Sequence, residues 1–176
     1  MNERKEIRRE VCVWVVLILV LAFADGVRAS NPIVPGTGLT DPYAVVYGDR
    51  VYIYATHDFS PANSWFVMKD WWVWSSEDLV NWRKEGVLKP EDTFIGRPFN
   101  DCWATCAIER NGKYYWYFSA GPKEIGVVVS DSPAGPWRDP LGKPLIPQGL
   151  TPTEQRDPNV LMADDGNAYL VYGTFN

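Results

Sequence analysis

The feature that most constrains the fold of this chain is a β-rich pattern that occurs three times. The three copies read DPYAVVYGDRVYIYAT, WATCAIERNGKYYWYFSA and DPNVLMADDGNAYLVYGT. Each copy has an apolar run, a polar turn and a second run that is rich in tyrosine. Val, Ile, Tyr and Trp favour strands, while Gly, Asn and Asp at the turns favour tight hairpins. The pattern therefore predicts a repeated antiparallel β-unit.

Two columns of aromatic residues give the period of this repeat. Tyr52, Tyr115 and Tyr169 align at spacings of 63 and 54 residues, and Trp82 aligns with Trp137 at a spacing of 55. Internal periods of this length indicate repeat architectures. We expect four strands in each unit, and in the first unit they fall at about 43–48, 51–57, 71–76 and 82–87. A repeated four-stranded unit is typical of the blades of a β-propeller.

The N-terminal segment predicts a signal peptide over residues 1–29. A basic flank precedes an apolar stretch of 14 residues at 11–24, and the small residues Val27 and Ala29 follow at the positions before a cleavage site. A spanning helix needs about 20 apolar residues, so the stretch is short for one. An uncleaved anchor stays as the alternative, because three glutamates dilute the basic flank. We expect a secreted or periplasmic protein that is not attached to the membrane after cleavage.

The length of the remaining chain sets the number of blades. Residues 30–176 number 147, and at 55–63 residues a blade they make about two and a half blades. Propellers close with about four to eight blades. We therefore expect an all-β chain that forms the N-terminal part of a longer propeller, ending inside its third blade.

Composition excludes several classes of function. Without residues 1–29 the chain has 17 − 5 = 12 basic and 22 − 4 = 18 acidic residues, a net charge of −6, which disfavours binding to nucleic acid. Cys102 and Cys106 are four residues apart on a predicted strand, too far for a disulfide, and are expected to be buried free thiols. His57 is the only histidine, and no CxxC motif occurs, so no metal site is predicted.

Aspartates at two unit starts suggest a functional site. Asp-Pro steps begin at Asp41 and Asp157, and counting nine residues back from Gly112 and Gly166 gives Trp103 and Asp157. In the first unit the corresponding count back to Asp41 is eight residues, one fewer than in the other two units. Because equivalent strand starts cluster at one mouth of a propeller, the two aspartates should face each other, with Trp103 on the wall between them. A turn-capping role for each Asp-Pro step is the structural alternative.

Paired carboxylates beside an aromatic wall suit glycoside hydrolysis. One carboxylate activates water as general base, and a carboxylic acid protonates the leaving oxygen. A further carboxylate near the acid can keep its pKa high through like-charge repulsion. Two more candidates for contact with a sugar are His57, whose alternative is packing in the core, and Trp65 or its neighbour Phe66, which lie in a loop that can border the same mouth.

The chain resembles glycoside hydrolase family 43, the five-bladed propeller enzymes that act on xylan and arabinan side chains. The matching segments, within residues 31–176, are TDPYAVVYGDRVYIYATHD, CWATCAIERNGKYYWYFSA, GVVVSDSPAGPWRDPLGKPL and RDPNVLMADDGNAYLVYG. The resemblance implies that Asp41 is the general base and that Asp157 orients the general acid and raises its pKa. It also implies that Trp103 and Ala104 line the subsite of the sugar to be cleaved. Thr105 departs from the family, which often has proline there.

The resemblance also implies what this chain does not contain. The family's general acid is a glutamate downstream of the hairpin that follows Asp157, so we expect little or no activity from the isolated chain. No redox or nucleotide cofactor is expected. Some family members hold a calcium ion in the central channel, through residues that this sequence lacks.

The predicted function is hydrolysis of a polysaccharide or oligosaccharide by inversion, as an α-L-arabinofuranosidase or a β-xylosidase on arabinoxylan or arabinan. Two alternatives stay open. One is a related five-bladed enzyme that acts on fructan or algal galactan. The other is a propeller that binds carbohydrate without catalysis. The sequence makes no prediction of the oligomeric state.

Overall fold

The computed structural model describes residues 32–60 and 65–173, and within them all regular structure apart from one short turn is β-strand. The strands are β1 (Gly38–Tyr47), β2 (Arg50–Asp58), β3 (Met68–Ser76), β4 (Arg83–Leu88), β5 (Cys102–Arg110), β6 (Lys113–Ala120), β7 (Glu124–Ser130), β8 (Arg156–Met162) and β9 (Ala168–Gly173). A 3₁₀ turn, Pro90–Asp92, follows β4. The all-β prediction is confirmed. The predicted signal peptide at 1–29 lies outside the described residues.

The strands form three antiparallel sheets in chain order. Blade one is β1-β2-β3-β4, blade two is β5-β6-β7, and blade three is the hairpin β8-β9. In blade two, a segment without regular structure lies where blade one has its fourth strand, since Arg138 bridges Val129 and Ile146 bridges Ile125. The described chain is therefore two propeller blades and the first hairpin of a third, as the repeat predicts, but the prediction of four strands in each unit is wrong for blade two, which has three. No helix in this part of the chain is long and apolar enough to cross a membrane.

In blade one the strand boundaries agree with the sequence prediction to within three residues, except at the start of β1. The predicted strand begins at residue 43, whereas β1 begins at Gly38. The ladder continues through a bulge, because Thr40 pairs with Thr56 and Tyr43 with Tyr54. A proline has no N–H to donate, and a bulge is one of the few places in a sheet where this does not matter. The Asp-Pro step therefore bends the strand without ending it.

Both aromatic columns of the repeat are confirmed. Tyr52, Tyr115 and Tyr169 all lie on the second strand of a hairpin and pair with the first. Trp82 directly precedes β4, and Trp137 directly precedes the residue that bridges to β7. Each column therefore marks one structural position that recurs from blade to blade.

The main core lies between blades one and two and consists largely of aromatic side chains. Tyr54, Trp71, Trp116 and Phe118 are fully buried. The rings of Tyr54 and Trp116 meet edge to face at 5.0 Å, and those of Trp71 and Phe118 lie 4.6 Å apart. The Tyr54 hydroxyl donates to the carbonyl of Pro133 at 2.7 Å, so burial leaves this polar end satisfied. This packing fixes blade one against blade two.

A smaller core joins blade two to blade three. Cys106 and Ile108 of β5 pack with Val160 of β8. The prediction for the cysteines is confirmed, since Cys102 and Cys106 are both free and buried. Burial raises the pKa of the Cys106 thiol to about 12, so it stays protonated at neutral pH. Both thiols pack as small apolar groups, Cys102 in the main core and Cys106 in the smaller core, where β8 packs on β5.

Candidate active site

Asp41 and Asp157 occupy the same structural position in their blades. Asp41 lies in the β1 bulge described above, and Asp157 lies in a β8 bulge between the pairs Arg156–Gly173 and Asn159–Val171. Both aspartates are in the left-handed region, with φ of 46° and 57°. Among residues other than glycine, Asp and Asn adopt this region most readily. The Asp-Pro repeat therefore encodes the same β-bulge in both blades. In each bulge the positive φ of the aspartate places its carboxylate outside the regular strand pairing.

The equivalent position in blade two is Ala104, which corrects the register predicted from the sequence. In β5 the bulge lies between the pairs Trp103–Ser119 and Thr105–Phe118, so its extra residue is Ala104, not Trp103. Counting back from the hairpin glycines misplaces the register because the turns differ in length. Two residues separate the closing pair of the blade-two hairpin, Arg110 and Lys113, whereas three separate Ala163 from Asn167.

The two aspartates line one cavity. It has a volume of about 330 Å³ and is lined by Asp41, Phe66, Met68, Trp103, Arg156 and Asp157. Three separate strand ends build it, those of β1, β3 and β8, together with Trp103 at the start of β5. The sequence prediction that Trp103 lies on the wall between the carboxylates agrees with this arrangement. A carboxylate pair beside an indole ring is able to bind a sugar ring and to activate water against it.

Backbone contacts hold the walls of this cavity. The Trp71 indole N–H donates to the carbonyl of Trp103 at 2.7 Å, which ties blade one to the start of β5. Met68 N–H donates to the carbonyl of Asn100 at 2.8 Å, just before β5 begins. The backbone N–H of Asp157 donates to the buried Ser119 Oγ at 2.9 Å. Blade two is therefore the common support for both catalytic candidates.

The surroundings of Asp41 in the cavity raise the pKa of its carboxyl group. Loss of water around its carboxylate raises the pKa of Asp41, and the negative charge of Asp157 raises it further. Both effects disfavour the ionised form. A carboxylate with a raised pKa is a stronger base than an ordinary aspartate, and it is still ionised when the pH exceeds that pKa.

Arg156 is a cavity residue that sequence reasoning did not identify. Its Nε lies 3.8 Å from Asp157 Oδ2, and its Nη1 lies 3.5 Å from Glu154 Oε2. The guanidinium also lies 5.8 Å from the centre of the Trp103 ring. The one feature of the sequence that points to Arg156 is its position directly before Asp157. The sequence alone does not show that this strand residue faces the cavity.

His57, another predicted sugar contact, is not brought to this cavity. His57 Nδ1 lies 2.8 Å from Asp70 Oδ1, and the ring stacks on Trp72 at 3.9 Å. His57 borders a different cavity, of about 450 Å³, beside Gly38 and Phe59.

Two further candidates lie near the cavity but not on its wall. Trp65 is 74% exposed and contacts Phe66 at 5.9 Å, and it is Phe66 that lines the cavity. Ala104 is half-buried beside Trp103 and is absent from the cavity wall. Of the candidates from the sequence, the structure therefore brings together Asp41, Asp157, Trp103 and Phe66.

No glutamate of the described residues lines the cavity. Glu154 is paired with Arg156, and Glu109 accepts the backbone N–H of Gly112 at 2.7 Å in the β5–β6 turn. The part of the chain that the structure describes also contains no group of three or more His, Cys, Asp or Glu residues that could hold a metal ion. The described cavity thus presents two carboxylates, one guanidinium and an aromatic wall.

Comparisons with known proteins agree with this arrangement. The model of the family "Glycosyl hydrolases family 43" matches residues 29–176. Arabinoxylan arabinofuranohydrolase of Bacillus subtilis is 32% identical over 93% of this chain, and 39% of that protein is covered. Xylosidase/arabinosidase 43A of Humicola insolens is 35% identical over 81% of the chain, which covers 45% of that protein. The chain thus spans less than half the length of these relatives.

Solved structures give the same result. A family 43 β-xylosidase/α-arabinofuranosidase from a compost metagenome, in complex with xylotriose, has a TM-score of 0.66 at 33% identity. That match covers 81% of this chain and 45% of the other. The Xanthomonas citri enzyme of family 43, complexed with xylose, has a TM-score of 0.64 at 35% identity, with 78% and 40% covered. Two propeller blades, the start of a third and two aspartates in equivalent bulges on one cavity are therefore those of a member of glycosyl hydrolase family 43.

Proposed function

We propose that the protein hydrolyses pentosyl bonds in plant cell-wall polysaccharide, as an α-L-arabinofuranosidase or β-xylosidase on arabinoxylan or arabinan. The observation that carries this proposal is the cavity shared by Asp41, Asp157 and Trp103. The names of two relatives, arabinoxylan arabinofuranohydrolase and xylosidase/arabinosidase 43A, support this choice of substrate. Two of the similar structures hold xylotriose or xylose, which supports an oligosaccharide ligand.

In this mechanism Asp41 is the general base. Its ionised carboxylate takes a proton from a water molecule while that water attacks the anomeric carbon. The raised pKa of Asp41 increases its basicity. Direct attack by water inverts the configuration at that carbon, and enzymes of this kind keep their acid and base about 6.5–9.5 Å apart. The Trp103 ring offers an apolar face to the sugar ring.

Asp157 acts on the other side of the bond. Its negative charge raises the pKa of a neighbouring acid, which keeps that acid protonated so that it can give its proton to the leaving oxygen. Because no glutamate of the described residues lines the cavity, the general acid has to come from another segment of the protein. Export under the direction of residues 1–29 is part of the same proposal, as it brings the enzyme to its polysaccharide.

The test is hydrolysis by the whole protein, with Asp41→Asn as the variant. Arabinoxylan and aryl pentosides are the substrates, and the anomer first released is identified by NMR. Loss of the general base should lower the rate by about 10²–10⁴-fold, and the unchanged enzyme should release the inverted anomer. Asp164→Asn, in the exposed turn after β8, is the matched control and should keep full activity. Retention of configuration, or full activity of Asp41→Asn, would refute the mechanism.

A further inference from the structure

Gln155 is a buried polar side chain close to the cavity that the mechanism above does not use. It is 1% exposed and lies two residues before Asp157. It ends an irregular segment, residues 147–155, which runs from the edge of blade two to the start of β8. Buried amides are found where their donors and acceptors are matched, because an unmatched one costs stability.

The side-chain amide of Gln155 is matched by backbone groups of its own segment and of the β6–β7 turn. With the amide oxygen facing the N–H donors, it accepts from Thr151 N at 3.0 Å and from Leu150 N at 3.3 Å. The amide nitrogen then donates to the carbonyls of Pro147 at 2.7 Å and Lys123 at 3.2 Å. Only a side chain with both a donor and an acceptor can make this set of bonds.

The backbone beside this amide is tied to blade two as well. Gln155 N–H donates to the carbonyl of Pro122 at 2.8 Å. Two residues later, Asp157 N–H donates to Ser119 Oγ at 2.9 Å. The backbone on both sides of Arg156, at Gln155 and at Asp157, is therefore hydrogen-bonded to blade two. Blade two in turn packs on blade one, which carries Asp41.

We propose that Gln155 is a positioning residue, whose amide clamps residues 147–151 and the β6–β7 turn and so holds the Asp157 carboxylate at the cavity. The proposal rests on the proposed function of Asp157, although its test does not need activity. Without the clamp, the irregular segment is free to move at the end that continues directly into Arg156 and Asp157. Asp157 would then keep its backbone bulge but lose its fixed place opposite Asp41.

Gln155→Leu and Gln155→Glu test this clamp in the 176-residue protein. Leucine removes every hydrogen bond of the amide, whereas glutamate keeps the shape but turns a carboxylate oxygen towards two carbonyls. We expect exchange of the Asp157 backbone N–H with solvent to become at least about tenfold faster, while amides in the middle of β6 exchange as before. Gln148→Leu is the matched control, since Gln148 is exposed in the same segment, and it should leave exchange unchanged.

A second measurement separates positioning from general support of the fold. Asp157 and Arg156 are the other charged side chains that line the cavity with Asp41, and the charge of Asp157 raises the pKa of Asp41. In the Gln155 variants, the NMR titration of the Asp41 carboxyl should therefore shift to lower pH. The amide oxygen of Gln155 also accepts from Thr151 Oγ1 at 3.0 Å. If Gln155→Leu does not fold, Thr151→Val removes this one bond of the clamp and should give the same changes on a smaller scale.

Two results would overturn the proposal. One is a lower melting temperature with the Asp157 exchange rate and the Asp41 titration both unchanged, which would make Gln155 a structural residue only. The other is faster exchange throughout all strands to the same extent. Inactivity of the whole protein on pentosides would refute the proposed function, yet it would leave these two measurements and their meaning intact.

Discussion

Asp157 raises the pKa of Asp41 although 116 residues separate them in the chain. The two carboxylates meet because each occupies the bulge of the first strand of its blade, with a positive φ that turns it out of the ladder. The same bulge, repeated in blades one and three, therefore brings two carboxylates into electrostatic interaction in the tertiary structure.

The effect of Asp157 on Asp41 predicts a shift in titration. Asp157→Asn removes the negative charge and leaves a residue that also tolerates positive φ. The pKa of Asp41 should fall towards the ordinary aspartate range, though not the whole way, because desolvation is the larger cause. NMR of the side-chain carboxyl carbons measures this pKa, and Asp164→Asn in the exposed turn is the control. An unchanged Asp41 titration in Asp157→Asn would contradict the predicted coupling.

The raised pKa also predicts how stability depends on pH. A carboxyl with a higher pKa in the folded state than in the unfolded state stabilises the fold while it is protonated, and this contribution is lost as the pH rises through the folded pKa. Asp41→Asn should therefore raise the melting temperature at pH 7 and have little effect near pH 3. Thermal unfolding monitored at both values checks the sign. A lower melting temperature at pH 7 would show that the ionised carboxylate is stabilising.

Trp116 should be a major contributor to stability. Its side chain is fully buried between Tyr54 and Trp137, and its indole N–H donates to Thr105 Oγ1. Trp116→Ala should lower the free energy of unfolding by about 3–5 kcal/mol, because it leaves a large cavity. Trp65→Ala is the matched control, since Trp65 is 74% exposed, and it should cost less than about 0.5 kcal/mol. Urea denaturation measures both, and similar losses would contradict the assigned core.

Gly126 predicts an effect of the opposite kind, in which a side chain is too large. A Cβ at this position would lie 2.2 Å from Phe118 Cζ and 2.8 Å from Phe94 Cε1. Gly126→Ala should therefore destabilise the protein by about 1–3 kcal/mol or more through overpacking. The double variant with Phe118→Leu should recover part of this loss relative to Phe118→Leu alone. Additive losses in the double-variant cycle would show that the contact is not the cause.

Much of the fold could be predicted because its signals are local. Strand composition and hairpin turns are written in adjacent residues, so the four strands of blade one were placed to within a few residues at nearly every end. The start of β1 was missed because Pro42 reads as the end of a strand. Only the pairing of Thr40 with Thr56 shows that the ladder continues beyond it.

The site could be predicted in part. Asp41, Asp157 and Trp103 were found because they recur at, or next to, one position of the repeat. The sequence does not point to Arg156, and it predicts a place beside the sugar for His57, which instead pairs with Asp70 and stacks on Trp72. Which way a strand residue points relative to a distant cavity depends on bulges and on how the blades pack, and neither is visible in the residue itself.

The sequence by itself determined the repeat, the β class and the two aspartates, since each follows from residue type at a fixed spacing. Only the tertiary structure decided that Ala104 and not Trp103 is the third member of the aspartate column, because a turn with one more residue in blade three shifts the count without altering the ladder. It also brought Ser119 Oγ to the backbone N–H of Asp157, and the Gln155 amide to the backbone of residues 123 and 147–151. Hydrogen bonds between segments that are distant in the chain leave no repeating pattern in the sequence, because they form only when the blades pack together.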